Sequence, residues 1–190
     1  MGTVRLETEV LVVGGGAAGL RAALAAAEAG SAVLLLNKGP VARSGITLTA
    51  AGGMQAPLHP EDNCELFLAD TLRCGYEIAD KSLAWTLATE AAGEVREMER
   101  YGVKFVRDER DELALGRFPG QSQPRNIFVK GGGVGLAAAL HAACKRQGNI
   151  RILDDFFVTG LLQAAPPDAR TVAGVMGINL RSGEQTIIRV

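Results

Sequence analysis

Residues 8–19 read TEVLVVGGGAAG, and the fold is decided there. An apolar run rich in β-branched residues passes straight into glycines. A segment of helical composition follows over about 17–29 and stops at Gly30, and a second apolar run, Ala32–Leu36, comes directly after it. Strand, glycine turn, helix, strand is one half of a doubly wound unit. Its short unbroken apolar strands suit a parallel sheet covered on both faces. Gly14, Gly16 and Gly19 carry the G-x-G-x-x-G spacing. The first permits the tight turn, the second lets a pyrophosphate approach the backbone, and the third lets the helix pack close to the sheet. The helix N-terminus then presents N–H groups and the positive end of its dipole to phosphate. The plain alternative is a glycine-rich turn with no ligand.

The second strand ends at Asn37 and Lys38, where an acid for ribose hydroxyls usually stands. Asn37 can accept from a hydroxyl but lacks the carboxylate that favours NAD, and no arginine follows at once to read a 2′-phosphate. The position therefore leans away from NAD(P) and leaves FAD open; the other reading is that Asn37 only shapes the turn.

The chain of 190 residues is 47% hydrophobic and 22% charged, enough to bury a core in one domain or part of one. Its 20 basic and 21 acidic residues leave a net charge of −1, so no single-sign field exists to grip nucleic acid. Cys64, Cys74 and Cys144 form no CxxC pair, which points to reduced thiols and away from a metal site. Met1–Glu7 has no signal-peptide pattern and no apolar run reaches the ~18 residues of a membrane span. The expectation is a cytoplasmic protein with no direct membrane span.

Beyond the first unit, residues 38–58 are punctuated by glycine, proline and hydroxyls and read as a functional loop. Asp62 and Glu65 form a capping box for a helix to about Arg73. Asp80 caps a second helix in which Leu83, Leu87, Ala91, Val95 and Met98 recur at helical spacing, with Trp85 as packing surface, and Gly102 ends it. Residues 107–125 read as a polar excursion. Gly131–Gly135 opens a small-residue helix to about Lys145. Three β-rich segments near 151–162, 171–180 and 185–190 suggest an antiparallel meander, the last two joined at Arg181-Ser182-Gly183-Glu184. The expected organisation is a dinucleotide-binding unit over about 8–55, a helical and loop insertion over about 60–130, and a helix with β-meander over about 133–190.

Gly14–Gly19, Lys38-Gly39-Pro40, Arg43-Ser44, Ala51-Gly52-Gly53, Glu61-Asp62-Asn63, Asp70-Thr71, Gly102 and Arg117-Phe118 with Gly120-Gln121-Ser122 follow one another in an order that resembles a known family. It is the FAD-binding domain of the succinate dehydrogenase, fumarate reductase and L-aspartate oxidase flavoproteins. The resemblance implies an α/β, Rossmann-like FAD-binding domain of the glutathione-reductase type with a β-meander, incomplete here and without the capping domain. It places Gly14, Gly15, Gly16, Ala17, Ala18 and Gly19 at the pyrophosphate and Asn37 and Lys38 beside the adenosine ribose. Ser44, Gly45, Thr47, Thr49, Ala50, Gly52 and Gly53 would run along the ribityl chain to the isoalloxazine. Phe157 and Val158 fall where the family's backbone meets adenine, or are ordinary strand core. Gly45, followed by one extra residue before the double glycine, stands where membrane-bound members carry a flavin-linking His, so the resemblance implies non-covalent FAD. Without that bond, fumarate reduction or amino-acid oxidation is favoured over succinate oxidation.

The activity implied is hydride transfer between flavin N5 and the C2–C3 bond of a dicarboxylate, fumarate or succinate. Electrons would come through an iron–sulfur subunit, and any association with a membrane would be through partner subunits. L-Aspartate oxidase is the alternative, and adenylylsulfate reductase ranks below it. A different class of reading is a stand-alone or split FAD-binding module, inactive without another chain; its support is that the sequence stops within an apparent strand at Val190. The family's catalytic residues lie further along than Val190, so none is assigned here. His59 reads as a solvated turn residue and His141 as a packed or surface one. Arg117 and Arg125 read as solvated loop arginines rather than anion contacts. Gly131–Gly135 either binds an anion or lets its helix pack tightly.

Overall fold

The computed structural model describes residues 4–165 and 171–190, so Met1–Thr3 of the N-terminal segment lie outside the described residues. The chain divides into two compact units, one made of residues up to 49 together with 137–190, the other of residues 50–136.

In the first unit, β2 (Val10–Val13), β3 (Val33–Leu36) and β6 (Ile150–Leu153) form a parallel sheet in the order β2-β3-β6. The central strand is buried along its whole length, which is why its sequence, VLLL, has no polar alternation. Helix α1 (Ala17–Glu28) returns the chain from β2 to β3 and buries Leu20, Ala23, Leu24 and Ala27. Asn149 closes the helix's far end, donating from Nδ2 to the carbonyls of Ala27 (2.9 Å) and Ser31 (2.8 Å). A second sheet runs β1 (Val4–Glu7), β9 (Gln185–Arg189), β8 (Val172–Asn179), β7 (Phe156–Gln163). Leu34 and Leu36 pack with Phe156, Val175 and Ile188 in a buried cluster. Burying such a side chain fully is worth roughly 1.5–3 kcal/mol.

The structure corrects the sequence reading of the strands at three places. The run 8–13 is a strand only from Val10; the chain before it forms β1, whose V-R-L-E alternation suits a half-covered strand and which pairs in parallel with β9. The segment 151–162 supplies two strands, because Asp154 and Asp155 break it and Asp155 takes a left-handed φ of 55°. The first half, β6, extends the parallel sheet, and the second, β7, opens the meander β7-β8-β9, whose two pairings are antiparallel as expected. The loop 38–58 contains a 3-10 turn at Ile46–Thr49 and β4 (Gly53–Gln55).

In the second unit, β4 pairs antiparallel with β5 (Asn126–Phe128), and α2 (Cys64–Cys74) and α3 (Lys81–Arg100) pack on each other. The cap of α2 is Asn63, which accepts from the Leu66 N–H at 2.8 Å. Asp62, expected as the cap, is instead turned to Arg125. Asp80 caps α3 as expected, accepting from the N–H groups of Ser82 and Leu83. The buried stripe of α3 is Ala84, Ala88, Ala91 and Val95. Leu83 and Leu87, expected on the buried face, are exposed, at 69% and 50%, and the buried face runs through the small residues one position over.

Arg125 overturns its reading as a solvated loop residue. Its side chain is fully buried and makes two hydrogen bonds to the Asp62 carboxylate, at 2.6 and 2.7 Å, and a third to Asp70. Asp70 also accepts from the Ser122 N–H (2.6 Å) and hydroxyl (2.8 Å), and from Arg73. Burial pushes the Asp70 carboxyl up. The Ser122 N–H, the Arg125 guanidinium and the Ser122 hydroxyl outweigh it and hold the group well below the usual carboxylate range.

A buried ion pair stripped of one member leaves an uncompensated charge, at a cost of about 3–5 kcal/mol. Arg125→Met is expected to lower the stability measured in urea by that order, and a midpoint unchanged from wild type would show that the knot does not hold the unit together. Because the folded carboxyl of Asp70 lies below its unfolded value, its contribution is complete above pH ~4 and is lost as the pH falls through the folded value. Wild type should therefore lose stability on acidification below pH ~4 more steeply than Asp70→Asn.

Candidate functional site

The glycine turn between β2 and α1 is shaped by a left-handed backbone angle at Gly14 and by an approach at Gly19 that no side chain could share. Gly14 takes φ of 110° and donates to the Leu36 carbonyl at 2.8 Å. A Cβ on Gly19 would lie 1.8 Å from the Gly14 carbonyl oxygen. The helix can begin this close to the strand only because Gly19 has no side chain. Gly16 is the N-cap of α1 at φ −75°, and the first turn contains no acid. A Cβ on Gly16 would meet only the Thr47 hydroxyl, at 3.2 Å. The turn is therefore tight between Gly14 and Gly19 and open at Gly16, the shape a pyrophosphate requires.

Thr47 comes to this helix end from the 3-10 turn, and its Oγ1 accepts from the Ala17 N–H at 3.0 Å. Asn37 sits at the centre of the array. Its Oδ1 accepts from the Gly15 N–H (2.9 Å), while Nδ2 donates to the Gly39 carbonyl (2.7 Å) and to Ser44 Oγ (3.2 Å). Ser44 in turn donates to the Pro40 carbonyl at 2.8 Å. Asp154, which sequence reasoning passed over, accepts from the Val41 N–H at 2.9 Å and holds the same loop from its other side. Lys38 is exposed, with its ammonium 5.5 Å from the centre of the Phe157 ring. Phe157 is 43% exposed, so it is not strand core; Val158, partly buried against the main cluster, is. Gly45 is exposed at φ 89°. Thr49 donates to the Ile46 carbonyl at 2.8 Å.

Ala50, Gly52 and Gly53 belong to the second unit. Gly52 lies at φ 75° against Gly132, whose Cα would be 2.6 Å from a Cβ on Gly52. The Gly133 N–H donates to the Ala50 carbonyl at 2.9 Å, and a Cβ on Gly135 would stand 2.1 Å from the Lys130 oxygen. These contacts decide between the two readings of Gly131–Gly135: the cluster is a backbone-on-backbone joint, and it opens α4 (Gly132–Arg146). The second unit also holds an open pocket of about 680 Å³ walled by Met54, Phe67, Cys74, Leu87, Phe118 and Arg125.

His59 stays outside this array, whereas His141 lies within electrostatic range of Asp154 and Arg43. His59 Nδ1 accepts from the Glu61 N–H at 3.2 Å within a turn. Burial, with Lys145 nearby, holds His141 below the ordinary histidine range, which fits a packed helix residue. Arg117 is exposed and donates to the Gln121 carbonyl at 2.9 Å. No described helix is long and apolar enough to cross a membrane.

Comparison with known proteins agrees with the geometry. Residues 9–190 match the family model of the FAD binding domain. The chain is 32% identical over 188 residues to one of the subunits of the fumarate reductase (CoM/CoB) of Methanothermobacter marburgensis, covering 96% of this chain and 33% of that protein. It is 33% identical over 154 residues to the L-aspartate oxidase of Agrobacterium fabrum, covering 80% and 29%. Among solved structures, E. coli quinol fumarate reductase FrdA superposes with a TM-score of 0.91 at 26% identity, over 98% of this chain and 32% of that one. The chain belongs to the FAD-binding domain family of the succinate dehydrogenase, fumarate reductase and L-aspartate oxidase flavoproteins, a family of FAD-dependent oxidoreductases. It spans about a third of the length of the curated relatives it matches.

The two glycines of the turn are expected to fail differently when substituted. Val at Gly16 meets only a hydroxyl and leaves the fold intact, but its methyls fill the approach to the backbone; FAD affinity should fall by about 100-fold or more while the circular-dichroism spectrum is unchanged. Val at Gly19 forces Cβ into a carbonyl oxygen and should prevent folding of the first unit. Full FAD occupancy in purified Gly16→Val would show the turn to be packing alone.

Proposed function

We propose that this chain is the N-terminal portion of a flavoprotein that interconverts fumarate and succinate, holding FAD without a covalent bond. Support for the dicarboxylate comes from the fumarate reductase relative, whose identity of 32% runs along 96% of the chain. The observation that carries the cofactor reading is the turn itself, closed between Gly14 and Gly19 and open at Gly16. FAD would supply the two-electron centre that exchanges hydride with the substrate. Gly14, Gly15, Gly16, Ala17, Ala18 and Gly19 would lie at the pyrophosphate, with Thr47 adding a hydroxyl there. Asn37 and Lys38 would lie beside the adenosine ribose, and the backbone at Phe157 and Val158 would meet the adenine. Ser44, Gly45, Thr49, Ala50, Gly52 and Gly53 would follow the ribityl chain to the isoalloxazine. L-Aspartate oxidase is the second reading, favoured by a relative at 33% identity. As part of a larger oxidoreductase, the protein would draw electrons from an iron–sulfur partner.

Gly45 offers the flavin no nucleophile, and its φ of 89° disfavours any side chain there. Acid precipitation of the FAD-loaded protein is expected to leave all flavin in the supernatant; in-gel fluorescence on the denatured chain would refute non-covalent binding.

The chain alone is expected to show no fumarate-dependent oxidation of reduced benzyl viologen above that of free FAD. Turnover needs a substrate aligned with the flavin and a positioned proton donor in a site that excludes water. His59 and His141 are committed to a turn and a helix, and Arg117 is exposed. A fumarate-dependent rate abolished by Arg117→Ala would place the catalytic machinery within these residues.

A further inference from the structure

We infer that Asn37 is a positioning residue, not a ribose ligand: it fixes the Lys38–Ser44 loop to the glycine turn, and the cofactor meets a surface that Asn37 has set. The inference rests on the FAD reading above and concerns how that site is built. In dinucleotide folds the residue ending the second strand presents its side chain to the ribose. Here the carboxamide is taken up by the chain's own polar groups, and these partners fix which end is oxygen and which is nitrogen. The atom facing Gly15 must be an acceptor, because it receives an N–H at 2.9 Å. The atom facing Gly39 must be a donor, because it meets a carbonyl at 2.7 Å. Its second proton goes to Ser44 Oγ at 3.2 Å. An amide nitrogen has two protons to give, and both are placed within the loop.

The backbone of Asn37 is fixed as well. Its N–H donates to the Leu153 carbonyl (3.0 Å) and its carbonyl accepts from Phe156 (2.9 Å), so the side chain reaches out from a clamped point. Four residues on, Val41 is buried where a Cβ on Gly15 would approach its methyl to 2.5 Å, and Asp154 holds its N–H. The loop is thereby pressed onto the turn at Gly15 and tied to it at Asn37. Carboxamide chemistry suits this junction and carboxylate chemistry does not. Aspartate could still receive Gly15, but it would put a charged oxygen against the Gly39 carbonyl. The presence of Asn instead of the usual acid follows from that contact.

The two roles predict opposite signs for one substitution. A ribose ligand should gain from Asn37→Asp, since a carboxylate is the stronger acceptor for hydroxyls. A positioning residue should lose. We expect both Asn37→Asp and Asn37→Ala to weaken ADP and FAD by about tenfold, the scale of one or two lost hydrogen bonds, at a temperature where circular dichroism shows each variant folded. The loss should be the same for ADP, 2′-deoxy-ADP and 3′-deoxy-ADP. Tighter binding by Asn37→Asp, or a loss that vanishes with either deoxy ligand, would overturn the inference. Trypsin supplies a readout on the unliganded protein: cleavage after the exposed Lys38 and Arg43 should accelerate in both variants relative to cleavage elsewhere, and unchanged rates there would also overturn it. Wild type that bound neither ADP nor FAD would sink the cofactor reading instead, and the cleavage rates would still decide the role of Asn37.

Discussion

Everything at the candidate site depends on a carbonyl oxygen meeting a helix where no Cβ stands. The Gly14 oxygen occupies the place a side chain on Gly19 would take. This fixes where α1 begins, which end of it faces outward and how near its axis lies to β2. The Lys130 oxygen does the same to Gly135, again five residues on, at the start of α4. One construction thus serves twice, and what stands opposite decides its use. At the first turn only a threonine hydroxyl comes near Gly16. At the second, the backbone of Ala50–Gly52 fills the space, Gly133 has given its N–H to Ala50, and Gly52 lies against Gly132. An open helix N-terminus can receive phosphate, whereas one closed by backbone is a joint.

That difference was not legible in the sequence, although both glycine clusters were. The motif after β2 could be read because the turn, the helix and the flanking strand are contiguous, and local periodicity carries the information. The partners of Gly131–Gly135 lie some eighty residues back, and spacing says nothing about them. The strands show the same limit. β3 was plain from its unbroken apolar run, but β1 finds its neighbour in β9, at the far end of the chain, and the division of 151–162 between two sheets turns on the backbone of Asp155.

Arg125 was misread for a related reason, and here a signal was present. Its acids lie 63 and 55 positions away. Yet Phe67 and Asp70 are three residues apart on α2 and so share a face, and Phe67 is a core residue. A carboxylate set into the apolar face of a helix requires a cation inside the protein, and this one has Arg125 against the Phe67 ring, 5.1 Å from its centre. The loop's polar composition suggested solvent, but burial is settled by the other end of the contact.

The loop from Lys38 to Ser44 shows how a surface for a charged ligand can be held rigid by contacts that its own charges do not make. A loop of this composition would sample many conformations on its own, and ordering it costs about 1–2 kcal/mol of backbone entropy per residue. Val41 buries its methyls, Asp154 and Asn37 take up polar groups of the loop, and Ser44 closes it on Pro40. The ordering is thus accomplished in folding, so a ligand arriving at the turn does not bear it. Lys38 is left at the rim, standing over an exposed aromatic ring, with its charge in solvent. An acid at position 37 would have met the Gly39 carbonyl and loosened the loop that presents this lysine. On the role inferred above for Asn37, the neutral amide would serve a pyrophosphate-bearing ligand by holding the loop, not by touching it.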